Sequence, residues 1–328
     1  MKQRIVSGIK PSGDLHIGNY LGAIAQWIKM QDEYEAFLFI ADLHAITVPQ
    51  KPEDLHRRTI EIAKIYLAAG IDPSRVTIFV QSQIHEHAEL CWILNSIARI
   101  GDLEKMTQFK DKSSGDARET AGVGFFDYPV LMAGDIVMYD ADFVPVGDDQ
   151  VQHIELTRTL GRRFNKRFGD EVFIMPKPLL QESGARIMAL DNPDKKMSKS
   201  STSENSYIAL SDEPEKARKK IMKAVTDSGT KIIYSDDKPA LQNLITIYAL
   251  FTDKKVSEIE AMYVGKGYAE FKTGLADVVV AFLEGFQEKY ASISDDEVLA
   301  VLKEGAEKAR PLAQQKIKEV KKLMGFVM

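Results

Sequence analysis

Short apolar runs alternate with helical patterns through the first half of the chain. Each run is followed by a segment with helical spacing, and the pairs are Gln3–Ile9 with Leu15–Met30, Ala36–Ala41 with Pro52–Ala69, and Val76–Val80 with His87–Ile100. This rhythm is typical of parallel strands joined by crossover helices. Pro52 suits a first helical turn and Gly70 suits a helix cap, which supports the middle helix. The pattern therefore predicts an α/β fold with a parallel sheet flanked by helices.

The pattern becomes almost wholly helical from Pro214 onward. Between the two halves we expect a helix, a short strand and a long helix, at Tyr128–Tyr139, Phe143–Val146 and Gln150 to about Phe168. The glycine- and charge-rich stretch Lys110–Gly124 predicts a mobile connection. The stretch Asp191–Asn205 is too rich in Lys, Ser and Asn for a core, so it predicts a functional loop.

The composition is that of a globular protein. The 328 residues include 43 Lys and Arg against 48 Asp and Glu, a net charge of −5, and 45% are hydrophobic. This excludes collagen-like and disordered chains, and the length favours two domains. No apolar run reaches the ~18 residues of a membrane span, and the N-terminus lacks an export signal, so we expect a cytoplasmic protein. The single cysteine, Cys91, permits no internal disulfide, thiolate zinc site or iron–sulfur cluster.

The turn after the first predicted strand has features of a phosphate-binding turn. It reads Ile9-Lys10-Pro11-Ser12-Gly13-Asp14-Leu15-His16-Ile17-Gly18-Asn19. Gly13 permits a tight turn, and Gly18 leaves room for a ligand near the start of the helix, where unpaired N–H groups favour phosphate. His16 and Asn19 share a helical face and can both donate hydrogen bonds. Taken alone, the same residues fit a capped helix with an incidental histidine equally well.

A second element lies in the polar loop, and it reads Lys196-Met197-Ser198-Lys199-Ser200. Two lysines and two hydroxyls on a flexible segment can close over a triphosphate and neutralise the charge on departing pyrophosphate. Alone, a basic exposed loop is usually solvated surface. Together, the HIGN turn and the later KMSKS string resemble the class I aminoacyl-tRNA synthetases.

Further strings narrow this resemblance to the bacterial tryptophanyl-tRNA synthetases. They are the run GDDQVQHIELTR at 147–158, the run GARIM at 184–188, the run MTQFK at 106–110 and the run GKGY at 265–268. The resemblance extends over nearly the whole chain. It implies a doubly wound, Rossmann-like nucleotide-binding domain with an α-helical C-terminal domain.

The family's activity is implied by the same resemblance. We expect a ligase that joins L-tryptophan to AMP from ATP, releases pyrophosphate, and then transfers tryptophan to tryptophan tRNA. ATP with Mg²⁺ is the expected nucleotide substrate, no protein-bound metal, zinc or iron–sulfur cluster is expected, and no membrane partner is expected. A homodimer whose tRNA spans both subunits is also implied. The implied divisions are a catalytic domain at 1–190, the KMSKS loop at 191–205, and a helical anticodon-binding domain at 206–328, whose last helices can pack back on the catalytic domain.

A tryptophan pocket is compatible with the residue pattern. Tyr128, Met132 and Asp135 form one helical stripe, and Val144 and Val146 point the same way from a strand. Apolar walls with one acid suit an indole, and the resemblance assigns Asp135 as the acceptor of the indole N–H. A core helix with Asp135 in a cap or salt bridge is the alternative. The remaining tryptophan-binding candidates are His44 and Gln150. For His44, a structural role is the alternative. No inserted region is long enough for an editing domain.

The family's ATP contacts map onto three parts of the sequence. They are Lys10, Pro11, Ser12, Gly18 and Asn19, then Gly147, Asp148, Asp149 and Ile187, and finally Lys196, Met197, Ser198, Lys199 and Ser200. Asp149 suits a ribose hydroxyl. Lys196, Lys199, His16 and Asn19 are the expected catalytic residues, because tryptophan's own carboxylate is the nucleophile and only charge stabilisation is needed. Lys10 departs from the glutamine that the bacterial family usually carries there.

Three other functions compete with this interpretation. A tyrosyl enzyme of the same class would share the fold, a different nucleotidyltransferase would share the turn, and a non-catalytic relative would bind RNA or regulate. The first two predict activation of another acid, and the third predicts no activation at all. Basic clusters at Lys216–Lys223 and Lys316–Lys322 are candidates for RNA contact, with solvated helix surface as the alternative.

Overall fold

A computed structural model describes residues 2–11, 13, 15–107, 109, 122–169, 171–180, 186–199, 201 and 203–328. The candidate residues Ser12 and Ser200 lie outside the described residues. So does most of the stretch Lys110–Gly124, for which a mobile connection is predicted.

Among the described residues, five strands form one parallel sheet in the order β3-β2-β1-β4-β5. The strands are β1 (Arg4–Ile9), β2 (Glu35–Ile40), β3 (Val76–Val80), β4 (Phe143–Val146) and β5 (Lys177–Leu180). The chain runs outward from β1 to β3, returns to β4 beside β1, and then runs outward to β5. The strand order therefore reverses between β1 and β4, where open α/β sheets bind their ligands. The predicted doubly wound parallel sheet is confirmed, although β5 was not predicted.

Helices cover the sheet and make up the second half of the chain. Those associated with the sheet are α1 (Ile17–Asn19), α2 (Ala25–Met30), α3 (Asp42–Ala45), α4 (Pro52–Ala69), α5 (Glu86–Asn95), α6 (Ile100–Leu103), α7 (Val123–Val137) and α8 (Val151–Phe168). Those that follow are α9 (Pro214–Lys223), α10 (Pro239–Thr252), α11 (Val256–Met262), α12 (Tyr268–Ser292) and α13 (Asp295–Met324). A π-helical segment, Tyr20–Ile24, joins α1 to α2. In the part of the chain that the structure describes, no helix is long and apolar enough to cross a membrane.

Alternate residues of the strands supply two apolar cores, one on each face of the sheet, because successive side chains point to opposite faces. Ile5 and Leu38 belong to the core that continues into the C-terminal helices. Val6, Phe37 and Phe39 belong to the core formed with α5, α7 and α8. Nearly all of β2 is buried, as expected for a strand covered on both faces.

The long helix α13 packs on β3. Gly305 permits this approach, since a Cβ at that position would stand 1.7 Å from the carbonyl oxygen of Ile78. Lys316 is buried, where its Nζ donates to the carbonyl of Val172 at 2.7 Å and pairs with Asp140 at 2.6 Å. Lys316 therefore anchors the helix and is not available to contact RNA, so that interpretation of Lys316 was wrong.

Candidate active site

Two adjoining cavities lie at the carboxyl ends of β1 and β4, among the residues that the structure describes. Cavity 1 has a volume of about 560 Å³ and cavity 2 a volume of about 440 Å³. Residues that line both are Ile9, Gly22, Ala23, Val146 and Gly147. A molecule in cavity 1 would thus meet a molecule in cavity 2 beside the ends of β1 and β4.

Cavity 1 collects every residue predicted to bind tryptophan. They are His44, Tyr128, Met132, Asp135, Val144, Val146 and Gln150. The stripe of α7 and the alternate residues of β4 face the same space, as their spacing predicts. The lining of cavity 1 also includes three aromatic side chains that the sequence did not indicate, those of Trp27, Phe39 and Phe125.

Asp135 is almost completely buried, with 1% of its surface exposed. Its Oδ1 accepts hydrogen bonds from Gln81 Nε2 and His87 Nδ1, and its Oδ2 accepts one from His44 Nε2, each at 2.7 Å. Burial raises the pKa of Asp135, but the hydrogen bonds from His44 and His87 outweigh it and lower the pKa to about 2. An ionised carboxylate has about four lone-pair sites, so three protein donors leave one acceptor site for a ligand.

A buried chain of hydrogen bonds supports this carboxylate. His87 donates to Asp135 through Nδ1, and its Nε2 accepts from the hydroxyl of Tyr139 at 2.8 Å. Burial, together with the negative charge of Asp135, raises the pKa of Tyr139, which keeps this hydroxyl protonated as the donor. These contacts fix the orientation of His87 and of the carboxylate that it holds.

Sequence reasoning missed Gln81, His87 and Tyr139 as supports of Asp135. Gln81 follows β3 directly, at the sheet edge where ligand-binding residues are expected, and this position was a usable signal. Tyr139 follows Asp135 by four residues, which is the spacing of one helical face. His87 is predicted only as the start of a helical segment, and nothing in the sequence pairs it with Asp135.

Tyr128 is held by a second buried histidine, His153, which the sequence reasoning also left without a role. The two side chains meet at 2.9 Å between the Tyr128 hydroxyl and His153 Nε2. Burial lowers the pKa of His153 to about 4, although Asp149 opposes the shift, and burial raises the pKa of Tyr128 to about 12. Near neutral pH the protonated hydroxyl therefore donates to a neutral imidazole. His44 packs edge-on against the ring of Tyr128.

Cavity 2 brings together residues predicted to bind ATP that are far apart in the sequence. They are Gly18, Asn19, Gly147, Asp148, Asp149, Ile187, Lys196 and Met197, with His16 beside them. A Cβ on Gly18 would stand 2.9 Å from His16 Nδ1, so glycine permits this close turn. Lys196 and Arg186 place positive charge in a cavity that also carries Asp148 and Asp149.

His16 is buried at the wall of cavity 2, with 7% of its surface exposed. Burial, assisted by the charge of Lys196, lowers the pKa of His16 to about 4. Its Nδ1 has no hydrogen-bond partner among the described residues. His16 is therefore neutral near pH 7, so it offers cavity 2 a hydrogen-bonding nitrogen and not a positive charge.

Relatives of known function match this chain along its length. The family described as "tRNA synthetases class I (W and Y)" matches residues 1–284. The tryptophan–tRNA ligase of Caldanaerobacter subterraneus subsp. tengcongensis is 51% identical over 327 residues, 99% of each chain. The chain belongs to the tryptophan–tRNA ligases of class I. Tryptophanyl-tRNA synthetase from Mycoplasma pneumoniae has a similar structure, with a TM-score of 0.92 at 35% identity over 100% of this chain and 99% of that one.

A second solved relative bears on the ligands of this family. The tryptophanyl-tRNA synthetase from Campylobacter jejuni, described as complexed with ADP and tryptophane, has a TM-score of 0.82 at 36% identity over 99% of this chain and 100% of that one. One nucleotide and one amino acid are thus bound by a tryptophan–tRNA ligase of the same fold.

Some residues predicted to bind ATP lie away from cavity 2. Lys10 lines cavity 1, where its Nζ is 3.5 Å from the hydroxyl of Thr47, and Pro11 is buried beside it in the chain. Ser198 is half-buried and Lys199 is exposed, and neither of these two described residues lines either cavity. Lys10 therefore adjoins cavity 1 and not cavity 2, where most of the other predicted ATP contacts gather.

Proposed function

We propose that cavity 1 binds the L-tryptophan that this ligase activates and that cavity 2 binds ATP. The observation that carries this proposal is the buried Asp135, ionised and held by three protein donors, in the wall of an otherwise largely apolar cavity. An indole offers an apolar surface and one N–H, which matches that lining. Phenylalanine has no such donor, and tyrosine carries its donor elsewhere, so both would leave Asp135 short of a partner.

ATP fits cavity 2 because backbone at Gly18 and Gly147 leaves room for phosphates while Lys196 and Asn19 supply donors. The ADP in the relative from C. jejuni supports this assignment. Mg²⁺ is held in proteins mainly through substrate phosphates with one or two carboxylates, and Asp148 and Asp149 provide carboxylates at this cavity. Bound with ATP, it would supply countercharge to the pyrophosphate.

The proposed reaction has two group transfers. In the first, a carboxylate oxygen of tryptophan attacks the α-phosphorus of ATP, the bond to the bridging oxygen breaks, and pyrophosphate leaves. Lys196, His16 and Asn19 at cavity 2 stabilise the charge on the phosphates, Lys199 joins them when its loop closes over ATP, and no protein base is required. In the second, a hydroxyl of the tRNA's terminal adenosine attacks the activated carbonyl and AMP leaves.

The macromolecular partners belong to the same proposal. In this proposal, residues 1–190 form the catalytic unit and residues 191–205 form the loop over ATP. Residues 206–328 form the region that binds the tRNA anticodon, and the protein acts in the cytoplasm.

A second copy of the chain covers three exposed apolar residues in the proposed homodimer. They are Trp92 on α5, Ile100 on α6 and Val123 on α7, which are 78%, 70% and 81% exposed. Sedimentation equilibrium tests the dimer, since Trp92→Glu should convert it to monomer, and a wild-type monomer would contradict it.

ATP–pyrophosphate exchange tests the proposed activation step. Purified protein, Mg²⁺ and each amino acid are combined separately, and exchange is expected with tryptophan alone. Exchange with tyrosine would make the protein a tyrosyl enzyme, and no exchange with any amino acid would leave a non-catalytic relative. Formation of tryptophanyl-tRNA from labelled tryptophan then tests the transfer step.

A further inference from the structure

The segment that carries Lys196 is one strand of a small hairpin. The Met197 N–H donates to the carbonyl of Ile187 at 2.9 Å, and the Ala189 N–H donates to the carbonyl of Lys195 at 2.8 Å. Met188 therefore lies directly opposite Lys196. In such an antiparallel pair, the N–H and C=O of Met188 point away from the Lys196 strand, toward the outer edge of the hairpin.

Asn243 of α10 occupies that outer edge. Its Oδ1 accepts from the Met188 N–H at 2.9 Å, and its Nδ2 donates to the Met188 carbonyl at 3.0 Å. The amide thus pairs with both backbone groups of one residue, as a neighbouring strand would. Asn243 is 7% exposed, so its amide has little access to water and relies on Met188 for its hydrogen bonds.

Two residues further on, backbone hydrogen bonds also hold the outer edge of the hairpin. The Leu190 N–H donates to the carbonyl of Ser206, and the Leu190 carbonyl accepts from the Val225 N–H at 2.8 Å. These contacts are made by backbone, whereas the contact at Met188 depends on a single side chain. Asn243 is therefore the point at which one substitution can release the outer edge of the hairpin.

We propose that Asn243 is a positioning residue for Lys196 and the hairpin strand that carries it. Through Met188, it fixes the hairpin strand opposite Lys196 and thereby holds Lys196 at the wall of cavity 2. It also ties the position of this hairpin to α10 of the helical half. This inference rests on the proposed function, in which cavity 2 binds ATP.

The chain offers a matched control for this clamp. Asn165 of α8 makes the same pair of contacts with one backbone residue, since its Nδ2 donates to the Phe173 carbonyl at 2.9 Å and its Oδ1 accepts from the Phe173 N–H at 3.1 Å. In Asn243→Asp and Asn165→Asp, the carboxylate still accepts the N–H but faces the carbonyl without a donor. Both substitutions therefore lose the same type of hydrogen bond, and only one of them touches the hairpin.

Steady-state ATP–pyrophosphate exchange with tryptophan distinguishes a positioning role of Asn243 from a purely structural one. Asn243→Asp and Asn243→Ala should lower kcat about tenfold or more and raise the KM for ATP by about threefold, with the KM for tryptophan within about twofold. Asn165→Asp should lower the melting temperature to a similar extent and leave these constants near wild type. Equal kinetic losses at Asn243 and Asn165 would overturn the proposal, and so would wild-type kinetics in Asn243→Ala.

Hydrogen exchange of the intact protein gives a second readout that does not depend on activity. Amides in the segment 187–197 should exchange about tenfold faster in Asn243→Asp than in Asn165→Asp or the wild type, because local opening of the hairpin becomes easier. Unchanged protection there would overturn the clamp. A wild type that exchanges no pyrophosphate would refute the proposed function instead, while this readout still decides whether Asn243 holds the hairpin.

Discussion

Cavities 1 and 2 adjoin but are built in opposite ways. In cavity 1 the key polar group, the carboxylate of Asp135, is buried and already receives three hydrogen bonds from His44, Gln81 and His87. Cavity 2 presents exposed charges at Asp148, Asp149 and Lys196, and Nδ1 of its buried His16 has no hydrogen-bond partner within the described part of the chain. An acceptor that is fixed and dehydrated beforehand selects a neutral indole, because a ligand without the N–H donor leaves this acceptor unpaired. A triphosphate carries its own charge, so its site needs donors that the ligand itself completes.

The largest effect should come from removing the acceptor of cavity 1. In Asp135→Asn, the amide turns a donor toward His44 or His87 and loses the ionised oxygen, so kcat/KM for tryptophan should fall on the order of 10³-fold. The KM for ATP should stay within about twofold, because cavity 2 is unchanged. Exchange assays at varied tryptophan and ATP measure both constants.

Asp127 provides the control for this substitution. It lies on the same helix, α7, and its Oδ2 accepts from Asn95 Nδ2 at 2.7 Å, outside both cavities. Asp127→Asn should keep nearly full activity. A comparable loss in both variants would mean that Asp135 supports the helix and does not read the amino acid.

Substitutions in cavity 2 should mainly lower the rate of pyrophosphate exchange. Lys196→Ala removes a cation that stabilises charge on the departing pyrophosphate, so kcat for exchange should fall about 10²-fold while the KM for tryptophan stays unchanged. The neighbouring Lys195 is the control, since it is exposed and lines neither cavity. If Lys195→Ala slows exchange as much as Lys196→Ala, general positive charge and not position accounts for the effect.

The buried His153 should make stability depend on pH. Its pKa is about 4 in the folded protein against 6.5 in an unfolded chain, so the unfolded state binds more protons between these values. Its stabilising contribution is present above pH 6.5 and is lost as pH falls toward 4, at most about 3 kcal/mol of unfolding free energy. Urea unfolding at pH 7.5, 6 and 5 should show this loss, and His153→Gln should reduce it. His85→Gln is the control, because that side chain is 76% exposed, and an equal reduction in both variants would contradict the assignment.

The smallest effect concerns which cavity Lys10 serves. Because Lys10 lines cavity 1, Lys10→Gln should raise the KM for tryptophan by about threefold through loss of a charge near its carboxylate. The KM for ATP should remain unchanged. The opposite outcome, a higher KM for ATP alone, would mean that Lys10 contacts ATP and not tryptophan.

The sequence predicted the parts of the site that follow local spacing. Tyr128, Met132 and Asp135 share a helical stripe, and Val144 and Val146 share a strand face, so periodicity alone placed them together. The partners of Asp135 could not be found in this way, since Gln81 and His87 come from other elements 54 and 48 residues away. The clamp at Asn243 lies 55 residues from Met188 for the same reason.

The fold shows the same limit. The bounds of α4 were predicted from Pro52 and Gly70, which act within one turn of the helix ends. Helix α13 packs on β3 because Gly305 lets it approach the backbone of Ile78 closely. No local sequence pattern encodes this contact. Strand β5 is short and only partly buried, so its apolar signal is weak.

In the proposed function, the one remaining acceptor site of Asp135 binds the indole N–H. Pyrophosphate exchange with tryptophan and with its benzothiophene analogue, in which sulfur replaces the N–H, tests this claim directly. We predict that kcat/KM for the wild type falls on the order of 10³-fold with the analogue and that Asp135→Asn loses most of this preference. Equal use of both amino acids by the wild type would contradict the claim.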